Sequence, residues 1–519
     1  MTRLDARTVL PSSVRGPAPR PRQVGIVHLG IGAFHRAHQA VLTEDAAAAS
    51  GDDRWGILGV TQRSDRVLRQ LRPQEGLYGV LTLGAQERSL RVVGSVLDAV
   101  FPGDPGPGGD VARVLDAIAA PTTHVVTLTV TEKGYVRRPG GGLDVDAVRP
   151  DLDAAAGALV AGSRAGATTG GEAEPPSASA VGLLVRGLVA RHRAGGAPLT
   201  VLPCDNVAAN GRVLAGLVRE AVGALAGPGA GAAVRSAVAG LARWLDDAVT
   251  FPSSVVDRIV PATTDVHRAV ERELLGADDE ALVVGEPYAQ WVIEDDFAGP
   301  RPPWEAAGVQ LVRDVTPFED AKLLLLNATH SLLAYAGALA GHETMADAVR
   351  DPHLAGHARA LQAEARAALA AGGRSDGAGP DLAGYAEEVL ARFANPATGH
   401  LTRQVAADGT QKIPLRWGPT LAGLPGPGAS PLPDDGVLFG LAAWTAFVAR
   451  AARSGAPLDD PRADELRAVV AGSVTGDQAV ASLLALPGLL PAGLGTDARI
   501  VAGVARARRT VDALARDRA

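Results

Sequence analysis

The chain contains one cysteine, Cys204, in 519 residues. It can form no internal disulfide and build no cysteine-based structural zinc site. Lysine is nearly as scarce: Lys and Arg together number 50, and only Lys133, Lys322 and Lys412 are lysines. Arginine therefore carries the positive charge, and a lysine kept in this background is a candidate for what arginine cannot do, which is to lose its proton near neutral pH when desolvated. Asparagine is confined to Asn206, Asn210, Asn327 and Asn395. No run of about 18 uncharged apolar residues occurs, so no membrane partner is expected. Positive charge is not in excess either; the formal net charge of -7 argues against nucleic acid as a partner. Residues 1–22 are polar and Pro-rich without the apolar centre of a secretory signal, so a cytoplasmic location is expected.

With 47% hydrophobic and 21% charged residues, the composition is that of a globular protein of several domains. Val24–Leu29 reads as a buried strand, followed by the turn Gly30-Ile31-Gly32 and the helical stretch AFHRAHQAVLTEDAAAA. WGILGV and THVVTLTVTE follow as strands at βαβ spacing, then PLTVLPCDN and ALVVGEPYAQWVIED. Such alternation predicts an α/β fold with a parallel sheet over residues 23–314. From residue 315 long helical segments take over, predicting a mainly α-helical domain to residue 519. Thr316, Pro317 and Glu319 read as N-cap, first helical residue and capping-box acid. Gly-, Ser- and Pro-rich stretches such as SRAGATTGGEAEPPSAS and AGGRSDGAG read as surface loops.

The Gly30-Ile31-Gly32 turn has the mechanics of a dinucleotide site, with backbone N–H groups and a helix start available to a pyrophosphate. His35 occupies the place of the third glycine in the usual spacing. Asp65 follows the second strand and favours NAD, while Arg63 keeps NADP open. Hydride transfer from an alcohol then needs a base. A Tyr-x-x-x-Lys pair is ruled out, because Thr129, Phe318 and Asp408 stand four residues before the three lysines. Lys322 is followed by Asn327 and His330 on an otherwise apolar helix. At about 100° per residue, Asn327 and His330 lie about 60° apart and Lys322 about 80° from His330, so the three can converge. A lysine among leucines suits general-base work, an Asn amide can donate to a developing alkoxide, and a histidine can hold a neighbouring hydroxyl. A snorkelling lysine with a satisfied core Asn and His is the alternative. Asn206 and Glu132 fall near carboxyl ends of strands, where open α/β sheets bind ligands; Asn206 also reads as a helix cap, and Glu319 as a capping acid alone.

The stretches IVHLGIGAFHRAHQA, VTLTVTEKGY, CDNVAANG, FPSSVVDRIVPATTD, EPYAQWVIEDDFAGPRPPWE and DVTPFEDAKLLLLNATHS together resemble the polyol-specific long-chain dehydrogenase/reductase family, which includes mannitol 2-dehydrogenase and fructuronate reductase. The resemblance runs in family order from about Val24 to Trp444, with Lys322, Asn327 and His330 matching its Lys-x4-Asn-x2-His signature. It implies a Rossmann-type domain followed by a helical substrate domain, NAD as cofactor with NADP not excluded, and no metal. Lys322 is then the general base, Asn206 and Asn327 polarise the reacting oxygen, and His330 binds substrate hydroxyls. Glu132 and Glu319 match carboxylates that relay the proton to water; Asp257 and Arg392 match positions near the substrate. Gly30, Gly32 and Phe34 match the nucleotide turn, and Asp65 matches, across a one-residue gap, the acid associated with NAD. The expected reaction interconverts a sugar alcohol and a ketose, D-mannitol and D-fructose first, with fructuronate or a related hexuronate as the alternative; Arg392 or Lys412 would then bind the carboxylate. A non-catalytic dinucleotide sensor is the reading from another class. A monomer is expected.

Overall fold

Strands that are buried on both faces read as unbroken apolar runs, and four of the runs in this sequence form the middle of one parallel sheet. The computed structural model describes residues 2–103, 110–161, 175–177, 179–372, 379–426 and 431–516, so most of the Gly- and Ser-rich stretches at 163–179 and 371–379 lie outside it. The chain divides into two compact units, Met1–Val315 and Thr316–Ala519. In the first unit the strands are β1 (Val24–Leu29), β2 (Gly56–Val60), β3 (Tyr78–Leu83), β4 (Arg88–Val93), β5 (Val96–Val100), β6 (Val125–Leu128), β7 (Leu199–Pro203), β8 (Val249–Thr250), β9 (Ser254–Asp257), β10 (Val283–Gly285), β11 (Gln290–Glu294) and β12 (Gln310–Val312). The main sheet has the order β5-β2-β1-β6-β7-β8 with every neighbour parallel. Order reverses between β1 and β6, the switch point of a Rossmann-like sheet. Val27, Leu29, Val60 and Leu128 pack into the core on one face, Ile26, Ile57 and Val125 into that on the other.

Two smaller sheets depart from the sequence reading. β3 and β4 form an antiparallel pair with β10 added parallel to β3, while β11 lies between antiparallel β9 and parallel β12. The stretch ALVVGEPYAQWVIED is therefore not one strand: it is split between two sheets. The helix expected after Gly32 is also two, Ala33–Ala37 and Gln39–Ser50, because His38 leaves helical geometry at φ -125° and ψ -86° and bonds the Gln290 carbonyl at 2.8 Å through its Nε2.

The elements of the second unit are all helices among the described residues. Ala328–Leu339 and Val437–Ser454 are buried nearly all round, as helices apolar on every side must be. Trp417 anchors one of them by donating from Nε1 to the Ala328 carbonyl at 3.2 Å. Helix Thr316–Ala321 begins at Thr316, within a residue of the predicted start, but it continues into Lys322–Asn327 as π-helix before resuming as Ala328–Leu339.

Candidate active site

In the first unit the pairs Leu29–Val60, Leu29–Leu128 and Leu128–Pro203 align the carboxyl ends of β2, β1, β6 and β7 in one row. Asp65, Gly30, Glu132 and Asn206 all follow that row in the chain. Gly30 has φ +104°, a left-handed conformation, and a Cβ there would stand 2.3 Å from the Thr129 carbonyl oxygen. Its N–H donates to the Val60 carbonyl at 2.8 Å, and its own carbonyl accepts from the Thr129 hydroxyl at 2.8 Å. Gly32 is exposed; a Cβ there would meet nothing nearer than the Gly30 carbonyl at 3.8 Å, leaving the start of the following helix open to close approach by a ligand. Phe34 packs its ring on His38 at 5.1 Å. The N–H groups of Gly30, Ile31 and Gly32 are not free for it, being bonded to the Val60 and Gly30 carbonyls, so what fits the pyrophosphate of a dinucleotide is the close approach the glycines allow at the helix start.

His35, in the place of the third glycine, stacks on the His28 ring of β1 with centroids 3.3 Å apart. That is how the helix approaches the strand without glycine. His28 lies between Thr127 Oγ1 (2.7 Å from Nδ1) and Thr129 Oγ1 (2.9 Å from Nε2). Because Thr129 spends its proton on Gly30, bond direction assigns the hydrogen of His28 to Nε2. Burial pushes the pKa of His28 down to about 3 and that of His35 well below the usual imidazole range, so both rings are neutral beneath the turn.

Asp65 stands just before helix Arg66–Leu71 without capping it and pairs with Arg69 at 2.7 Å. Arg63 reaches Thr131 Oγ1 at 3.2 Å. Glu132 opens the short 3-10 turn Glu132–Tyr135 and is exposed, as is Asn206; Asp257 is buried at the end of β9.

In the second unit the π-helical stretch changes the angular argument. A continuous α-helix would leave Lys322 and Asn327 about 140° apart. In π geometry rungs join residues five apart, as where Ala328 N–H bonds the Leu323 carbonyl, and residues at that spacing share a face. Lys322 and Asn327 are at that spacing, and both are half-buried. His330 stacks on Phe393 at 4.8 Å and lies 5.8 Å from His400; its Nε2 is sealed from solvent with no hydrogen-bond partner. Burial, then electrostatic repulsion from His400, Arg416, Lys412 and Arg392, holds its pKa well below the usual value. Arg416 bonds the Asn327 carbonyl at 3.1 Å and Ser331 Oγ at 2.8 Å. Lys412 donates to the carbonyls of Val405 (3.2 Å) and Ala407 (2.6 Å), which uses two of the three N–H donors of its ammonium. Arg392 is buried near the end of helix Leu382–Phe393, and Glu319 is half-buried in the first turn of its helix. The sequence reading missed His28, His400 and Arg416; only the position of His35 hinted at the first.

The family model described as the mannitol dehydrogenase Rossmann domain matches residues 24–306, and that of the mannitol dehydrogenase C-terminal domain matches residues 314–512. The chain belongs to the mannitol dehydrogenase family. It is 37% identical to the D-mannonate oxidoreductase of Escherichia coli strain K12, over 93% of this chain and 92% of that one. It is 32% identical to the mannitol 2-dehydrogenase of Aspergillus terreus, over 98% and 94%. A solved structure of Pseudomonas fluorescens mannitol 2-dehydrogenase, a ternary complex with NAD and D-mannitol, superposes with a TM-score of 0.75 at 29% identity, covering 99% of both chains. This chain is an oxidoreductase acting on a CH–OH group of a polyol or sugar acid. Among its described residues no group of three or more His, Cys, Asp or Glu is placed to hold a metal, and no helix is long and apolar enough to cross a membrane.

Proposed function

We propose that this dehydrogenase uses NAD and that Lys322 is its general base. NAD, when bound, supplies the hydride acceptor. The backbone at Gly30 and Gly32, with Phe34 beside it, holds the pyrophosphate, and Asp65 takes the adenosine ribose. Lys322 accepts the proton of the reacting hydroxyl as the C–H bond breaks, and Asn206 and Asn327 donate to the developing carbonyl oxygen. His330 binds a substrate hydroxyl, Asp257 and Arg392 hold the remainder of the substrate, and Glu132 and Glu319 pass the proton on to water. The observation that carries this reading is the π-helical stretch, which sets the scarce Lys322 and Asn327 five residues apart on one face.

D-mannitol and D-fructose are the pair proposed from the sequence. A second pair, D-mannonate and D-fructuronate, is favoured by the positive groups around His330 and by the identity to D-mannonate oxidoreductase. A carboxylate gains a charge-assisted bond from Arg392 that a neutral polyol does not. The protein acts as a monomer in this reading and takes only small molecules. The test is NAD(P)H absorbance with purified protein, no added metal, both cofactors, and mannitol, arabinitol, fructose, mannonate and fructuronate. Turnover of one pair with NAD assigns it; turnover of none sinks the proposal in favour of a sensor. Lys322→Ala is expected to lower kcat by about 10²–10⁴-fold while NADH still binds; equal kcat in the variant refutes the base assignment.

A further inference from the structure

Tyr135 closes the turn opened by Glu132, and its ring is buried. Its hydroxyl donates to Asp205 Oδ2. Asp205 immediately precedes Asn206, so this one bond joins the segments that leave the adjacent strands β6 and β7, 70 residues apart in the chain. The Asp205 side is braced from behind. Its Oδ1 accepts the Val207 N–H at 3.3 Å, and Asn210 Nδ2 donates to the Asp205 carbonyl at 3.2 Å and to the Ser254 carbonyl at 3.0 Å. Asn210 Oδ1 takes the Ser254 N–H at 3.0 Å, and the Ser254 hydroxyl donates to the Pro203 carbonyl at 2.6 Å. Tyr135 is therefore the one link in this set that reaches the Glu132 segment.

We propose that Tyr135 and Asp205 are positioning residues for the reaction, clamping Glu132 and Asn206 at a fixed separation so that proton relay and carbonyl polarisation act on one geometry. The inference rests on the roles proposed for Glu132 and Asn206. A half-buried acid is an unusual choice for a merely structural brace, since an asparagine would accept the same hydrogen bond without a charge to desolvate. The charge has a use: an ionised Asp205 cannot turn a proton toward Tyr135, so the phenol is held as donor in one orientation. Burial pushes the Asp205 carboxyl up to about 6, and the Glu132 carboxylate adds to the rise against the bonds from Tyr135, Val207 and Asn210. The Cys204 thiol beside it is held protonated well above its usual range by burial and by Asp205, and the Tyr135 phenol is likewise held protonated, with Arg137 the positive group nearby.

The test uses the full chain with NAD and whichever substrate it turns over, comparing Tyr135→Phe and Asp205→Asn with the parent. Tyr135→Phe is expected to lower kcat about tenfold or more at an NAD KM changed less than twofold, because misplaced groups slow chemistry more than binding. Asp205→Asn is expected to remove the acid limb of the kcat profile near pH 6. Amide hydrogen exchange followed by mass spectrometry supplies a readout independent of turnover: in Tyr135→Phe, residues 130–136 and 205–210 should gain exchange together. A kcat within twofold of the parent, an unaltered acid limb, or exchange rising in one segment only overturns the clamp. Should the parent turn over no polyol or sugar acid, the dehydrogenase reading fails by itself, and the joint or separate response of the two segments still decides the coupling. Should Asp205→Asn fail to fold, Tyr135→Phe decides alone.

Discussion

Replacing Gly30 by alanine puts a methyl group where the turn after β1 has no room. The new Cβ would stand 2.3 Å from the Thr129 carbonyl oxygen and 3.0 Å from its carbon, on a backbone with φ +104°. Thr129 cannot easily retreat, since its N–H bonds the Leu29 carbonyl at 3.0 Å and its hydroxyl bonds the Gly30 carbonyl at 2.8 Å. A side chain at this φ costs about 1–2 kcal/mol and the overlap about 1–3 kcal/mol more, together about 2–5 kcal/mol. At about 2–4 °C per kcal/mol for a unit of this size, the melting temperature should fall by roughly 4–20 °C. Strain is relieved by moving the turn away from β6, which carries the Gly32 backbone with it, so NADH affinity should fall about tenfold, equivalent to about 1.4 kcal/mol. Gly32→Ala is the control. Its φ is -83° and its nearest neighbour is 3.8 Å away, so it should melt with the parent while its methyl group still crowds the nucleotide. Scanning fluorimetry and NADH fluorescence titration of both variants measure the two effects separately. If Gly30→Ala melts within about 2 °C of the parent and binds NADH within twofold, the turn is not held by Thr129 and the reasoning is wrong.

Glu364 accepts the Val437 N–H at 2.7 Å, and its Oε1 is buried without a partner. Burial, with Asp435 nearby, pushes its pKa up from 4.5 to about 7. A raised folded-state pKa means the stability it lends is complete below pH 4.5 and lost as pH rises through 7, a loss of at most about 3 kcal/mol. Glu364→Gln should therefore match the parent near pH 4.5 and melt increasingly above it up to pH 8; parallel melting curves across that range would contradict this. Asp65→Ala removes an acid that repels a 2′-phosphate, so the NAD-to-NADP preference in kcat/KM should fall about tenfold. Its exposed pair with Arg69 is worth only about 0–1 kcal/mol, so melting should barely change. An unchanged cofactor preference would remove Asp65 from the nucleotide site.

The central strands β1, β2, β6 and β7 were legible because burial on both faces forces apolar runs too long to miss, each ending in glycine or polar residues that mark the edge where ligands bind. β3, β4, β9 and β12 were not, and β10 and β11 read as one strand, since short strands in side sheets owe their form to distant partners, as β3 does to β10 some two hundred residues on.

The rare residues on the apolar helix, Lys322, Asn327 and His330, marked themselves by composition alone, as did the strand, glycine turn and helix around Gly30. What the stretch KLLLLN cannot carry is whether the backbone bonds four or five residues back; with leucine at all four positions between Lys322 and Asn327, packing in the second unit decides that, and it moves the two onto one face. The clamp of Tyr135 on Asp205 and the stack of His35 on His28 are likewise tertiary. Their members stand far apart in sequence, and only the order of strands in the sheet, fixed by burial of apolar surface on both of its faces, brings them within reach.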